Sequence, residues 1–67
     1  MNQEKVKYPN LVAEMARRGE RQKVIAELLG VAVPTVCRKL SGQIGFSISE
    51  VEILCEHFGK DYYELFK

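Results

Sequence analysis

The stretch Gln22–Gly42 limits what this chain can fold into more than any other. Ile25, Ala26 and Leu29 fall at i, i+1 and i+4, which is one apolar face of a short helix. Gly30 stops that helix, because only glycine reaches positive φ at a helix C-terminus without a Cβ penalty. After Val31 and Ala32 a second short helix follows, with Val36 and Leu40 four apart on its inner face. Two short helices joined by a three- to four-residue glycine turn make a helix-turn-helix. The second helix of such a pair commonly enters the major groove of DNA.

The flanks supply helices to hold this pair. Residues 1–7 are polar and aperiodic, and read as a flexible arm in which Lys5 and Lys7 either touch phosphate or stay idle. Residues 8–67 form the domain. Pro9 suits the first turn of helix 1, which runs to Arg18 with Leu11, Met15 and Val12 inward and Gly19 at its end. Helix 2 begins at Gln22 after Arg21, a residue without the side-chain oxygen that caps helix starts, a loss of about 0.5–2 kcal/mol relative to Ser. Pro34 disfavours the α conformation at the preceding residue, so Val33 is expected as the cap and helix 3 proper starts at Pro34. Ser47 and Glu50 have capping-box spacing ahead of the apolar stripe Val51, Leu54, Cys55 and Phe58, which Gly59 closes. Asp61 and Glu64 repeat that spacing before helix 5, in which Tyr62, Leu65 and Phe66 dock back. No segment alternates with period two. The fold class is all-α, a compact bundle of five short helices with a central helix-turn-helix formed by helices 2 and 3.

Composition removes several function classes. Sixty-seven residues allow one small core, and a chain this short buries only about 60% of its unfolded surface, so a partner would help it. The apolar runs are far shorter than the ~20 residues of a membrane span, and Met1 is followed by polar residues rather than a signal core. Cytoplasmic residence and free thiols at Cys37 and Cys55 are therefore expected. His57 is the single histidine, too few ligands for a metal site, and it has no nucleophile partner at a recognisable spacing. No phosphate-binding glycine loop is present. The expectation is no enzyme, no metal, no cofactor, no small-molecule substrate and no membrane partner. Net charge is only +1, but residues 1–42 carry eight Lys or Arg against four Glu, and residues 43–67 carry two Lys against five acids. Such asymmetry suits one face turned to an anionic partner and another turned away.

Gln22, Ala26, Gly30, Val31, Thr35, Val36 and Gly42 resemble, in register, the pattern of the lambda-repressor/Cro class of helix-turn-helix domains, as in small phage or prophage repressors. The resemblance runs without a gap from Asn10 to Leu65. It implies base-reading positions at Val33, Pro34 and Arg38, with Ala32 and Cys37 flanking. It also implies backbone contacts from Gln22, Thr35, Lys39 and Ser41, to which Arg21 and Lys23 add charge at the start of helix 2. Relatives often carry Gln, Arg or Ser at the two leading positions, where Val33 and Pro34 can only pack against thymine methyls. Arg38 is then the one strong direct reader, able to hold guanine O6 and N7 in a bidentate pair worth about 1–3 kcal/mol. Many relatives also pair an arginine on helix 1 with a glutamate at the end of helix 3. Here those positions are Met15 and Leu40, an apolar contact in place of an ion pair.

The expected function is sequence-specific binding of double-stranded DNA by a transcriptional regulator of the repressor or Cro kind. A homodimer on DNA is expected, since one domain makes few phosphate contacts. Ile53, with Ile44, Tyr63 or Phe66, is the expected self-association patch. The alternative is a protein–protein interaction module built on the same fold with little DNA affinity, favoured by the missing polar readers and the near-zero net charge.

Overall fold

The computed structural model describes residues 6–67. The part of the arm formed by residues 1–5 lies outside the described residues. Five helices follow one another: α1 (Pro9–Arg18), α2 (Gln22–Leu29), α3 (Val33–Ser41), α4 (Ile48–Phe58) and α5 (Tyr62–Phe66). No strand occurs among the described residues, and none of their helices is long and apolar enough to cross a membrane.

The core is built by the side chains that the helical spacing singles out. Leu11 and Met15 come from α1, Ile25 and Ala26 from α2, Val36 and Leu40 from α3, Leu54 and Phe58 from α4, and Leu65 and Phe66 from α5. Val12, Leu29, Val51 and Cys55 pack against this cluster half-buried. Helix α2 lies against both α3 and α4, while α5 closes the bundle by packing on α1 and α4. Met15 and Leu40 are both buried in the one core cluster.

Local chemistry sets the helix ends. Gly30 takes φ 71° and ψ 34° and passes the chain from α2 into the turn, with the Val31 N–H bonded back to the Ala26 carbonyl at 3.0 Å. Both capping boxes form. Ser47 Oγ accepts from the Glu50 N–H at 3.1 Å while the Glu50 carboxylate accepts from the Ser47 N–H at 3.0 Å. Asp61 and Glu64 exchange the same pair of bonds, each 2.9 Å. Arg21 stands at the N-cap of α2 with no side-chain bond to the helix.

Two local expectations need correction. Helix α3 begins at Val33, one residue before Pro34: Ala32 is the cap, and its carbonyl accepts from the N–H groups of Thr35 (3.0 Å) and Val36 (3.1 Å). Burial of Val36 and Leu40 fixes the register, and Pro34 at the second position lacks an N–H where the helix needs none. The pre-proline preference is a bias of the local backbone, and packing overrides it. At the other end of the chain, Leu65 and Phe66 are buried but Tyr62 stays 45% exposed, its ring stacked on Phe66 at 5.5 Å. Phe66 is buried, so it could enter a self-association patch only as part of the lining of the groove it shares with Tyr8, Phe46 and Tyr62.

Contacts between distant residues tie the bundle further. His57 Nε2–H donates to the Glu20 carboxylate at 2.8 Å, and Arg18 Nε lies 3.5 Å from the other oxygen of that carboxylate. This pins the α1–α2 connection to the end of α4. The bond from His57 holds the Glu20 carboxyl below its ordinary value, against the opposing effect of burial and helped by the charges of His57 and Arg18. Tyr8, Phe46 and Phe66 meet edge to face with centroids 5.3–5.5 Å apart, closing the end of the core where the chain enters α1. Lys7 lies alongside: its N–H donates to the Leu40 carbonyl at 3.0 Å, so the chain just before α1 is strapped to the end of α3.

Candidate nucleic-acid interface

Burying Val36 and Leu40 turns the opposite side of α3 outward. Val33 (41% exposed), Pro34, Cys37 and Arg38 share that face, and all four are exposed. Thr35 and Ser41 are half-buried at its margins, and Ser41 Oγ donates to the Arg38 carbonyl at 3.1 Å. Gln22, at the first position of α2, is brought beside this face. It lines one shallow depression with Cys37 and Ser41, over a floor that includes Val12, Met15 and Leu40. Of the ten candidate contact residues, nine therefore lie exposed or half-buried along α3 and the start of α2.

Lys39 is the exception. It is 7% exposed, and its ammonium donates to the Gly45 carbonyl at 3.0 Å and to Glu50 Oε1 at 2.9 Å. Its Nζ also sits 5.6 Å from the centre of the Phe46 ring. A cation held in this way on the inner side of the helix is not available to a phosphate, so the expectation of a backbone contact from Lys39 is corrected. The signal was present in the sequence, since Lys39 is three residues after Val36 and so shares its face. The family pattern drew attention to its charge, but its helical phase decides its place.

Ion pairing divides the cations into two groups. Among the described residues, Arg17, Arg18, Lys39 and His57 are engaged by carboxylates, whereas Arg21, Lys23 and Arg38 make no ion pair. Lys60 and Lys67 make none either; what sets Arg21, Lys23 and Arg38 apart is their place on α3 and at the start of α2. Helices α1, α2 and α3 begin without a side-chain cap, at Tyr8, Arg21 and Ala32, unlike α4 and α5 with their complete capping boxes. At the start of α2 the Val24 N–H bonds to the Arg21 carbonyl at 3.0 Å, and Arg21, Gln22 and Lys23 flank this end. Such a helix start, with its partial positive charge, is suited to an anion.

Chemically the surface offers one fork-shaped donor, two apolar side chains, one thiol and a rim of small polar groups and cations. Cys37 and Cys55 are free thiols, the first exposed and the second half-buried. Burial pushes the Cys55 thiol up, as do the nearby Asp61 and Glu52 charges. Among the described residues no three His, Cys, Asp or Glu side chains gather to hold a metal ion.

No curated protein and no solved structure is similar enough to the chain to match it. A family model does match, that of the BetR domain, over residues 8–67, which takes in all five helices and the whole of the surface just described. The chain belongs to the BetR domain family, small regulatory domains of the helix-turn-helix-like, DNA-binding type.

Proposed function

We propose that this domain binds double-stranded DNA in a sequence-specific way and regulates transcription in the cytoplasm, as a repressor or Cro-like protein. Helix α3 lies in the major groove and α2 crosses the phosphate backbone, as in the lambda-repressor/Cro class that the helix-turn-helix resembles. The observation that carries this reading is the co-location of unpaired Arg38, Arg21 and Lys23 with Gln22 and the uncapped start of α2. Arg38 reads a guanine, and Val33, Pro34 and Cys37 pack against base edges and thymine methyls. Gln22, Thr35, Ser41, Arg21 and Lys23 meet the backbone. The activity is binding, without a catalytic step.

A homodimer on two half-sites about 34 Å apart supplies the contacts that one domain lacks. The apolar side chains left for self-association are Ile44, Ile48, Ile53, Tyr62 and Tyr63, all at least 38% exposed.

Salt titration tests the reading. The two cations that meet the backbone, Arg21 and Lys23, predict a slope of log affinity against log salt of about −1.8 per domain, a loss of roughly 12-fold between 50 and 200 mM salt. The measurement is fluorescence anisotropy on a mixed-sequence duplex. Absence of binding at 50 mM salt would overturn the proposal in favour of a protein-interaction module, whose apolar contacts barely respond to salt. The exposed aromatic groove of Tyr8, Phe46, Ile48, Tyr62 and Phe66 is the feature that favours that second reading.

A further inference from the structure

Lys39 is the one cation of the helix-turn-helix turned inward, and its partners lie in the next helix. One oxygen, Glu50 Oε1, accepts both from Lys39 Nζ (2.9 Å) and from the Ser47 N–H (3.0 Å). The carboxylate that closes the capping box of α4 is therefore also the counter-ion of a lysine on the reading helix. The lysine's second bond, to the Gly45 carbonyl, fastens the loop between the two helices. That loop is held at its start as well. The Arg38 carbonyl accepts from the N–H groups of Gln43 (2.9 Å) and Ile44 (3.3 Å) and from Ser41 Oγ (3.1 Å). Both sides of the 42–46 loop are thus anchored to consecutive residues of α3, Arg38 and Lys39.

Stability alone does not account for this arrangement. A mostly buried ion pair replaced by well-packed apolar groups is often neutral or stabilising. What the pair adds is direction, because charge-assisted hydrogen bonds have narrow geometry where apolar contacts slide. Direction matters on this helix. Side-chain tips lie ~5–6 Å from a helix axis, so a roll of about 20° moves them about 2 Å, enough to break a two-bond contact to a base. Arg38 is the neighbour of Lys39, about 100° away around the same axis.

We propose that Lys39 and Glu50 are a positioning pair: they touch no DNA, but set the roll of α3 and so present Arg38 to its base pair. This rests on the DNA-binding reading above and deepens it. Lys39 contributes to discrimination between sequences and nothing to phosphate neutralisation.

The test compares the full chain with Lys39→Met, Glu50→Gln and the double variant, at a temperature where circular dichroism shows all four folded. Glu50→Gln retains an oxygen for the Ser47 N–H while removing the charge. Affinity is measured for a site selected from a random pool and for a mixed-sequence duplex, each across a salt series. The ratio of the two affinities is expected to fall about tenfold in each single variant, within the roughly 5- to 150-fold that one bidentate arginine contact supplies. The double variant should be no worse than either single one, since both break the same link. The salt slope on mixed duplex should stay that of the unaltered chain. A merely structural role would leave the ratio unchanged at full folding, and that result overturns the proposal. So does a slope shallower by about 0.9 in Lys39→Met, which would make the lysine a phosphate contact. Additive losses in the double variant overturn the coupling. Should the unaltered chain itself show no salt-dependent binding, the DNA-binding reading falls and takes this one with it; unaltered discrimination in the variants removes this proposal alone.

Discussion

Replacing Gly42 by alanine tests whether the segment before α1 is a structural strap on the reading helix. Gly42 follows the last residue of α3 with φ 91°, a region that L side chains avoid, so alanine there costs about 1–2 kcal/mol in backbone strain. Gly30 ends α2 in a similar conformation, φ 71°, and supplies the control. A Cβ built at Gly30 meets nothing within 4 Å, whereas one at Gly42 lies 2.8 Å from Lys7 Cδ and 3.2 Å from Lys7 Cβ. The lysine stem can swing aside, but its Cβ moves only with the backbone. That displacement weakens the bond from the Lys7 N–H to the Leu40 carbonyl, worth about 0.5–1.5 kcal/mol net. Gly30→Ala should therefore lose about 1–2 kcal/mol and Gly42→Ala about 1.5–3.5 kcal/mol. In a domain of this size an extra 1 kcal/mol lowers Tm by a further 4–8 °C or so, well within reach of thermal unfolding followed by circular dichroism. In a Lys7→Gly background the two substitutions should converge. Equal losses in the unaltered background, or a gap that survives Lys7→Gly, would refute the strap.

Two further outcomes follow from the interface and its support. Arg38→Ala should leave Tm within the change of about 0.5 kcal/mol usual for a surface site, yet reduce discrimination at one base pair by roughly 5- to 150-fold, read from selection of bound sites; a uniform loss over all positions would make Arg38 a backbone contact. Burial alone would raise the Glu50 carboxyl, but the bonds from the Ser47 N–H and the Lys39 ammonium outweigh it and hold the group below its ordinary value of 4.5. A depressed folded value gives stability that is present above the unfolded value and is lost as pH falls through the folded one. Unfolding midpoints should therefore drop more steeply below about pH 4.5 in the unaltered chain than in Glu50→Gln, and parallel acid limbs would contradict the assignment.

Much of this molecule is written in short-range pattern. Gly30 and Gly59 end helices because the backbone at a C-cap needs positive φ, and Ser47–Glu50 and Asp61–Glu64 open them because both partners are three residues apart. The apolar spacing of Ile25 and Ala26, Val36 and Leu40, and Leu54 and Phe58 fixes which face of each helix is buried. Once those faces are known, Val33, Pro34, Cys37 and Arg38 can only point outward. These features are legible because each depends on residues within about one or two helical turns.

Tertiary structure decided the rest, wherever a partner lies far along the chain. The spacing from Val36 turns Lys39 inward, but its partners Glu50 and the Gly45 carbonyl, eleven and six residues away, reach it only in the folded bundle. His57 finds Glu20 across thirty-seven residues, and the segment at Lys7 finds the end of α3 only after the bundle has closed. Phe66 leaves the surface because Tyr8 and Phe46 meet it from the other end of the chain and from the α3–α4 loop. Helical phase tells which way a side chain points, but the three-dimensional packing determines what it meets there, since hydrogen bonds and aromatic contacts reach only a few ångströms and the chain alone does not say which residues come that close.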